Sequence, residues 1–242
     1  MAITKAAEFV AAMPDASQLL SDEPEMESSL HFAQLALLVA ILEWWWRDRQ
    51  DFFIGANLSV YFSTEQLKNR DFRGPDLFLV KDTERRPRKS WVVWEEGGKY
   101  PDVIIELLSD STEEIDREIK FRLYQDRFRT PEYFWFSPET LELAGWRLVD
   151  GKYQKIESDE RGWRWSGVLD LYLGVEDGKL RYFTGEGVKV ASPQEEALVN
   201  KKIAELEAQR AERETQRAER EAARAERLAK KLREMGIDPD GV

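Results

Sequence analysis

The strongest constraint on the fold is a run of large aliphatic residues that contains one carboxylate. Residues 103–108 read Val-Ile-Ile-Glu-Leu-Leu and follow the dipeptide Pro101-Asp102. A short, continuous apolar run is typical of a strand buried on both faces of a sheet. Glu106 must then be protonated, paired or bound to a cation, because an uncompensated buried charge is costly. Two plainer interpretations stay open: Glu106 points to a sheet edge, or it pairs with an arginine.

Helical and extended patterns alternate around this strand. Their order predicts an α/β (α+β) fold, with a mixed central sheet flanked by helices and a long C-terminal helix. The predicted elements are a buried helix from Leu30 to near Arg49 capped by Ser28 or Ser29, a half-buried strand within 52–63, a strand over 77–80, a helix from Glu113 to about Phe128, a strand over 133–136 and a strand-rich remainder to about Val190.

The chain changes character at Ser192-Pro193, which predicts one domain over 1–191 and a charged helix over 192–242. Small residues recur there at heptad spacing and form what we call the alanine seam: Ala208, Thr215, Ala222 and Ala229, with Ala211, Ala218, Ala225 and Leu232. Alanine buries little area, so a solvated single helix and a dimeric coiled coil are equally compatible with the seam. Gly236 is expected to end the helix.

Charge and composition exclude several classes of protein. The net charge is −11, and the segment 201–234 holds 11 basic and 8 acidic residues, so the rest of the chain carries about −14. Such a body can bind nucleic acid only through a local basic patch or a bound cation. The chain has no cysteine, which excludes disulfides and cysteine-bound zinc. His31 is the only histidine, so it is expected to be a buried, hydrogen-bonded residue rather than part of a histidine-based metal site.

Nothing in the sequence predicts a membrane association. The N-terminus lacks the basic and apolar regions of a secretory signal. The longest apolar run, Leu35 to Trp46, is interrupted by Glu43 and is shorter than the roughly 20 residues that a spanning helix needs. The expected location is cytoplasmic.

Two further residues could act with Glu106. Asp76 follows Pro75 at the entrance of the strand over 77–80, where it could equally be a turn residue that caps its own backbone. Lys120 shares a helical face with Asp116 and Tyr124, which is also the pattern of an ordinary surface ion pair. In combination, two strand carboxylates suit a hard divalent cation, and a lysine can stabilise the charge of a transition state. Asp102 is interpreted as a strand-entry cap.

Several of these motifs together resemble a known family. They are PDVIIELLSDST, the D-x-x-x-K-x-x-x-Y pattern of Asp116 to Tyr124, TPEYFWF, the upstream GPDLFLV, and the helix that begins near Glu27 and His31. The combination, over about Met26 to Tyr182, is similar to the Uma-type putative restriction endonuclease family of the PD-(D/E)XK nuclease superfamily.

The resemblance implies a restriction-endonuclease-like sheet core with a magnesium site. Asp76 and Glu106 would be the metal carboxylates and Lys120 the catalytic lysine, with Mn²⁺ as an alternative ion. The chain departs from the simplest superfamily pattern, because Leu108 stands where the lysine two residues after the glutamate would be. The resemblance implies that the lysine is supplied from the helix instead. Glu27 is a further candidate, matching a helix acid of related nucleases.

Two functional hypotheses follow. The first is a Mg²⁺-dependent endonuclease that hydrolyses DNA, expected to act as a homodimer, with the basic loop Arg85–Lys89 as a phosphate clamp between the strands that carry Asp76 and Glu106. The second is a catalytically inactive nuclease-fold module for binding or assembly, whose C-terminal helix contacts itself or a partner.

Overall fold

The computed structural model describes residues 19–21, 28–63, 74–109 and 115–236. The chain divides between Ser192 and Pro193 into two compact units. In these described ranges no helix is long and apolar enough to cross a bilayer.

The first helix, α1 (Ser29–Trp45), begins where the sequence predicts and ends earlier. The Ser28 hydroxyl caps it by accepting the His31 backbone N–H at 3.1 Å. One side packs in the core through Leu38, Ile41 and Leu42, but Phe32 on the other side is 62% exposed. The helix is therefore buried on one side only, whereas the sequence predicted a buried helix.

The central sheet of the first unit has six strands and is mixed, as predicted. The strands are β1 (Phe52–Ala56), β3 (Leu77–Lys81), β5 (Val103–Leu107), β6 (Glu132–Phe136), β7 (Leu143–Val149) and β8 (Lys152–Lys155), in the spatial order β1-β3-β5-β6-β7-β8. Only β5 and β6 pair in parallel in this sheet. A parallel pair needs a crossover, and the helical segment between these two strands provides it.

The crossover, α2 (115–128), consists of two π-helical turns, Ile115–Lys120 and Leu123–Phe128, joined by an α-helical step at 121–122. It ends at Phe128 as predicted, where Arg129 adopts a left-handed conformation with φ 55°. The helix packs on one face of the sheet, with Tyr124 and Phe128 in a core that includes Ile104 and Tyr133. Helix α1 packs on the opposite face, against a core that includes Leu77, Ile105 and Phe134.

The region 52–63 forms two short strands rather than one. Strand β2 (Val60–Tyr61) leaves the central sheet and pairs in parallel with β4 (Trp91–Val92). The interruption lies at Asn57, whose φ of 44° turns the chain and whose N–H donates to the Asp76 carbonyl at 2.8 Å. An alternating pattern does not reveal such a turn.

A small antiparallel sheet completes the first unit. Its strands are β9 (Arg164–Ser166), β10 (Leu171–Glu176) and β11 (Lys179–Phe183), with β10 in the middle. The second unit is the helix α3 (Pro193–Glu234), which has no buried residue. Gly236 follows it with φ 77°, the left-handed conformation expected of a residue that ends a helix.

Candidate active site

The pairing of β3 with β5 brings Asp76 beside Glu106. The strands are antiparallel, and their register sets Leu77 opposite Ile105. One step further along each strand, Asp76 at the entrance of β3 meets Glu106 near the end of β5. Their contact is direct, because the Asp76 backbone N–H donates to Glu106 Oε2 at 3.3 Å. Asp76 and Glu106, which are 30 residues apart in the sequence, are thus neighbours at this junction.

Glu106 is fully buried in a central strand and is contacted by two side chains of α2. The Lys120 ammonium donates to Oε2 at 3.0 Å, and the Tyr124 hydroxyl donates to Oε1 at 2.7 Å. The side-chain exposure of Lys120 is only 9%, so the interpretation of this lysine as a surface residue is wrong. Glu106 does not lie at a sheet edge, and within the described part of the chain its charged partner is Lys120 and not an arginine.

The surroundings of Glu106 change its acidity. Burial raises the pKa of its carboxyl from 4.5 to about 7, and the nearby Asp76 carboxylate adds to the increase. The Lys120 charge and the Tyr124 hydroxyl lower the pKa, but by less than burial raises it. Glu106 therefore changes protonation close to neutral pH, which is the range in which a carboxyl group can respond to a cation or to a proton transfer.

Asp76 is fixed by the backbone of the neighbouring strand. Its Oδ2 accepts the Leu107 N–H at 2.7 Å. Asp102 lies at the other end of β5 and accepts the Lys81 N–H at 2.7 Å, which confirms that it is a strand-entry cap. Burial raises the pKa of the Asp102 carboxyl. Of Asp76 and Asp102, only Asp76 contacts Glu106.

His31 and Tyr124 also lie beside the Asp76–Glu106 site, and each makes a hydrogen bond there. His31 is buried, and its Nε2 lies 2.5 Å from the Leu107 carbonyl oxygen, as expected for a satisfied histidine. This contact ties the first turn of α1 to the residue after Glu106. Tyr124 was visible in the sequence only as a member of the spacing with Lys120. Its hydroxyl contact with Glu106 needs the packing of α2 on the sheet, which spacing does not specify.

The family of the chain follows from a comparison with family sequence models. The Uma2 model, described as putative restriction endonuclease, matches residues 17–180, which is more than half of the chain. This chain belongs to the Uma2 family. The resemblance to that family, and the mixed sheet with flanking helices that it implies, are confirmed. No match was found among curated proteins.

One solved structure that resembles the Uma2 chain is the crystal structure of a putative nuclease belonging to DUF820 from Anabaena variabilis. The two share 12% sequence identity with a TM-score of 0.44. The match covers 68% of this chain and 89% of that one.

The carboxylates of this Uma2 chain fit a magnesium ion in number and in type. Mg²⁺ typically takes one or two carboxylates and keeps several waters, and Asp76 and Glu106 supply such a pair. Within the described ranges there is no group of three or more acidic or histidine residues that could hold a metal. Glu27 lies outside those ranges. Since Lys120 already compensates the charge of Glu106, burial alone does not require a cation.

Two arginines of the basic loop of the Uma2 domain are engaged by carboxylates of the same domain. Arg85 pairs with Glu43 and stacks on Phe52. Arg88 is bound by Glu96 at 2.6 Å, with a side-chain exposure of 3%. The prediction of a phosphate clamp is therefore not supported at these arginines, because carboxylates of the same domain already neutralise them.

Proposed function

We propose that this chain is a divalent-metal-dependent endonuclease that hydrolyses phosphodiester bonds of DNA, with Mg²⁺ as its ion and Mn²⁺ as a substitute. The observation that carries the proposal is the meeting of Asp76, Glu106 and Lys120 at the junction of β3, β5 and α2. Membership of a family described as putative restriction endonuclease supports the same reaction class.

In this proposal Asp76 and Glu106 hold the cation between them. A bound Mg²⁺ would polarise a phosphoryl oxygen and lower the pKa of a coordinated water. The Leu107 N–H keeps the Asp76 carboxylate in place, and the Tyr124 hydroxyl keeps the Glu106 carboxylate in place. Neither carboxylate would then have to reorganise when the substrate arrives, which is the condition for electrostatic catalysis.

Lys120 would stabilise negative charge that develops on the phosphate. Hydrolysis forms a bond between a water oxygen and phosphorus, breaks one bridging P–O bond, and transfers a proton to the leaving oxygen. The ammonium group is buried beside Glu106, where the low dielectric strengthens its interaction with an anion. With a cation offsetting the charge of Glu106, the Lys120 ammonium would be available to a phosphoryl oxygen or to the attacking water.

Duplex cleavage leads us to propose a homodimer. One subunit contributes one such cluster within its described residues, and two antiparallel strands require two cuts. A two-fold axis between subunits would supply the second site in the matching orientation.

Plasmid nicking tests the proposed reaction. Supercoiled plasmid is incubated with the full chain in Mg²⁺, in Mn²⁺ and in EDTA. Nicking is expected in either metal and not in EDTA. Glu106→Gln should abolish it, whereas Glu132→Gln, at a second buried glutamate that Arg147 pairs with at 2.9 Å, should cut like the wild type. Equal cutting by the Glu106→Gln variant would refute the site.

An inactive binding module is the second candidate, and one observation favours it. Both oxygens of Glu106 already accept hydrogen bonds, from Lys120 and from Tyr124. A carboxylate satisfied in this way could serve the fold alone. Metal titration separates the two candidates, since an ion that binds the native state raises the melting temperature. A scaffold would show no increase that depends on Asp76 and Glu106.

A further inference from the structure

The exposed surface of α3 carries a continuous row of cations, which we call the arginine ridge. Its members alternate in steps of three and four residues: Arg210, Arg213, Arg217, Arg220, Arg224, Arg227 and Lys231. All seven are exposed. The mean step of 3.5 residues is close to one helical turn, so the side chains share one face of the helix. At a rise of 1.5 Å per residue the ridge is about 32 Å long.

Three members of the ridge have no acidic neighbour on the helix surface. Arg213, Arg220 and Arg227 have only arginine, lysine, glutamine or alanine at three and four residues on either side. Of the ridge residues, all of which are described, only Arg217 makes an ion pair, with Glu221 at 2.9 Å. Like charges at this spacing destabilise a helix slightly. Three arginines in line without an acidic neighbour are therefore explained better by an anionic ligand than by the stability of the helix.

The alanine seam lies on the side of α3 away from the ridge, between two rows of glutamates. One row is Glu212, Glu219 and Glu226, and the other is Glu207, Glu214 and Glu221. In a self-paired coiled coil, the two positions that flank the seam face the flanking positions of the second copy. Glutamates would then face glutamates in either orientation. A second copy is thus a poor occupant of the seam, and the ridge is the surface with an evident ligand chemistry.

We propose that the arginine ridge binds the phosphate backbone of double-stranded DNA. Six of the seven cations are arginine, whose planar guanidinium binds phosphate oxygens in a bidentate manner. The length of the ridge is close to the roughly 34 Å of one duplex turn. The chain outside 201–234 carries about −14, so a separate cationic element would be needed to attract a polyanion. This site is distinct from the cluster at Glu106 and does not depend on its activity.

Other anionic partners fit the ridge less well. A protein partner usually contributes and requires an apolar interface core. Between Arg210 and Lys231, the only apolar residues at three or four positions from a ridge member are Ala223 and Leu228. A helix lying on a lipid surface needs bulky apolar residues opposite its basic face. On α3 that side is mainly alanine. A regular phosphate backbone requires only the repeated charge that the ridge provides.

Salt-dependent binding to a labelled duplex tests the proposal. The full chain carrying Asp76→Asn is titrated in EDTA against a 30-base-pair fluorescent duplex at several salt concentrations. Binding of the duplex by the ridge does not require an active nuclease site. A lack of DNA binding in this test would therefore not bear on the nuclease proposal. Each phosphate contact adds about 0.9 to the slope of log affinity against log salt. Adding Arg213→Gln, Arg220→Gln and Arg227→Gln should lower the slope by about 2.7, and the affinity in 0.1 M salt on the order of a hundredfold.

A matched control removes the same charge elsewhere on α3. Lys201→Gln, Lys202→Gln and Arg233→Gln lie off the ridge and should leave most of the affinity and slope unchanged. Circular dichroism checks that both triple variants stay helical, since glutamine is a good helix former. Equal losses in the two triple variants would overturn the ridge as the binding surface. Tighter binding to anionic vesicles, to duplex RNA or to an acidic protein than to DNA would overturn the choice of ligand.

Discussion

Asp76 and Asp102 occupy equivalent positions at opposite ends of the β3–β5 pair. Each follows a proline, each precedes its strand, and each accepts the N–H of the last residue of the other strand at 2.7 Å. Asp76 accepts from Leu107, and Asp102 accepts from Lys81. The two carboxylates therefore have the same structural role, which is to accept the N–H at the end of the neighbouring strand. They differ in one respect, since only Asp76 also contacts Glu106.

This equivalence gives a test in which stability and activity separate. In Asp76→Asn and Asp102→Asn the amide oxygen can still accept the strand N–H, so both variants should remain folded with similar melting temperatures. Asp76→Asn should lose about a hundredfold or more of the Mg²⁺-dependent cleavage, because it removes a charge from the cation site. Asp102→Asn should cut plasmid like the wild type. Equal activities of the two variants would contradict the role of Asp76.

The raised pKa of Glu106 predicts a specific loss of stability with pH. The folded state has a pKa of about 7 at this carboxyl against 4.5 in the unfolded chain. Below pH 4.5 both states hold the proton, so the protonated carboxyl contributes its full stability. Between pH 4.5 and 7 the unfolded state releases the proton first, and the free energy of unfolding falls by on the order of 3 kcal/mol.

Urea unfolding in EDTA, at pH values from 4.5 to 8, measures this effect. Glu106→Gln cannot titrate at this position, so its free energy of unfolding should lack the decrease. The difference between wild type and variant should change across pH 4.5 to 7 and be constant above that range. The same pH dependence in both proteins would show that another group is responsible.

The central strand was predictable from the sequence because its pattern is local. Six residues with one glutamate among aliphatics indicate a buried strand and a carboxylate in need of compensation. The identity of the compensating groups is a long-range property. Tyr124 lies 18 residues from Glu106 and reaches it only because α2 crosses this part of the sheet. Similarly, two loop arginines form ion pairs with Glu43 and Glu96, and no local sequence pattern predicts these pairs.

The strand break at Asn57 is another feature that the local sequence pattern did not predict. The residues of 52–63 alternate well enough to predict one strand, but the direction of the chain depends on a single left-handed residue. Asparagine tolerates that conformation, and its N–H is bound by the Asp76 carbonyl. The break is thus favoured by a contact with the neighbouring strand rather than by the segment itself.

Removal of the Tyr124 hydroxyl should shift the pH dependence of cleavage. This hydroxyl lowers the pKa of Glu106, so Tyr124→Phe raises that pKa further above its present value of about 7. A hydrogen bond to a charged group contributes about 1.5–3 kcal/mol, or roughly one to two pKa units. Cleavage that needs the Glu106 carboxylate should fall about five- to fiftyfold at pH 7 and recover at alkaline pH.

The control for this variant is Tyr182→Phe. The Tyr182 hydroxyl is buried and has no hydrogen-bond partner within the described part of the chain. Its removal should leave the pH profile of cleavage unchanged. If Tyr124→Phe lowers activity equally at every pH, Tyr124 supports the fold without positioning the Glu106 charge.

The glutamate rows beside the alanine seam make a prediction about assembly. Facing glutamates oppose self-pairing of α3, and alanine provides little buried area to offset that repulsion. If the proposed homodimer forms, its interface should therefore lie in the first unit. Deletion of 193–242 should leave the number of subunits unchanged when mass is measured by light scattering. Neutralising the row with Glu212→Gln, Glu219→Gln and Glu226→Gln should instead strengthen self-association of the full chain. A deletion variant that becomes monomeric would show that α3 holds the subunits together despite its charge pattern.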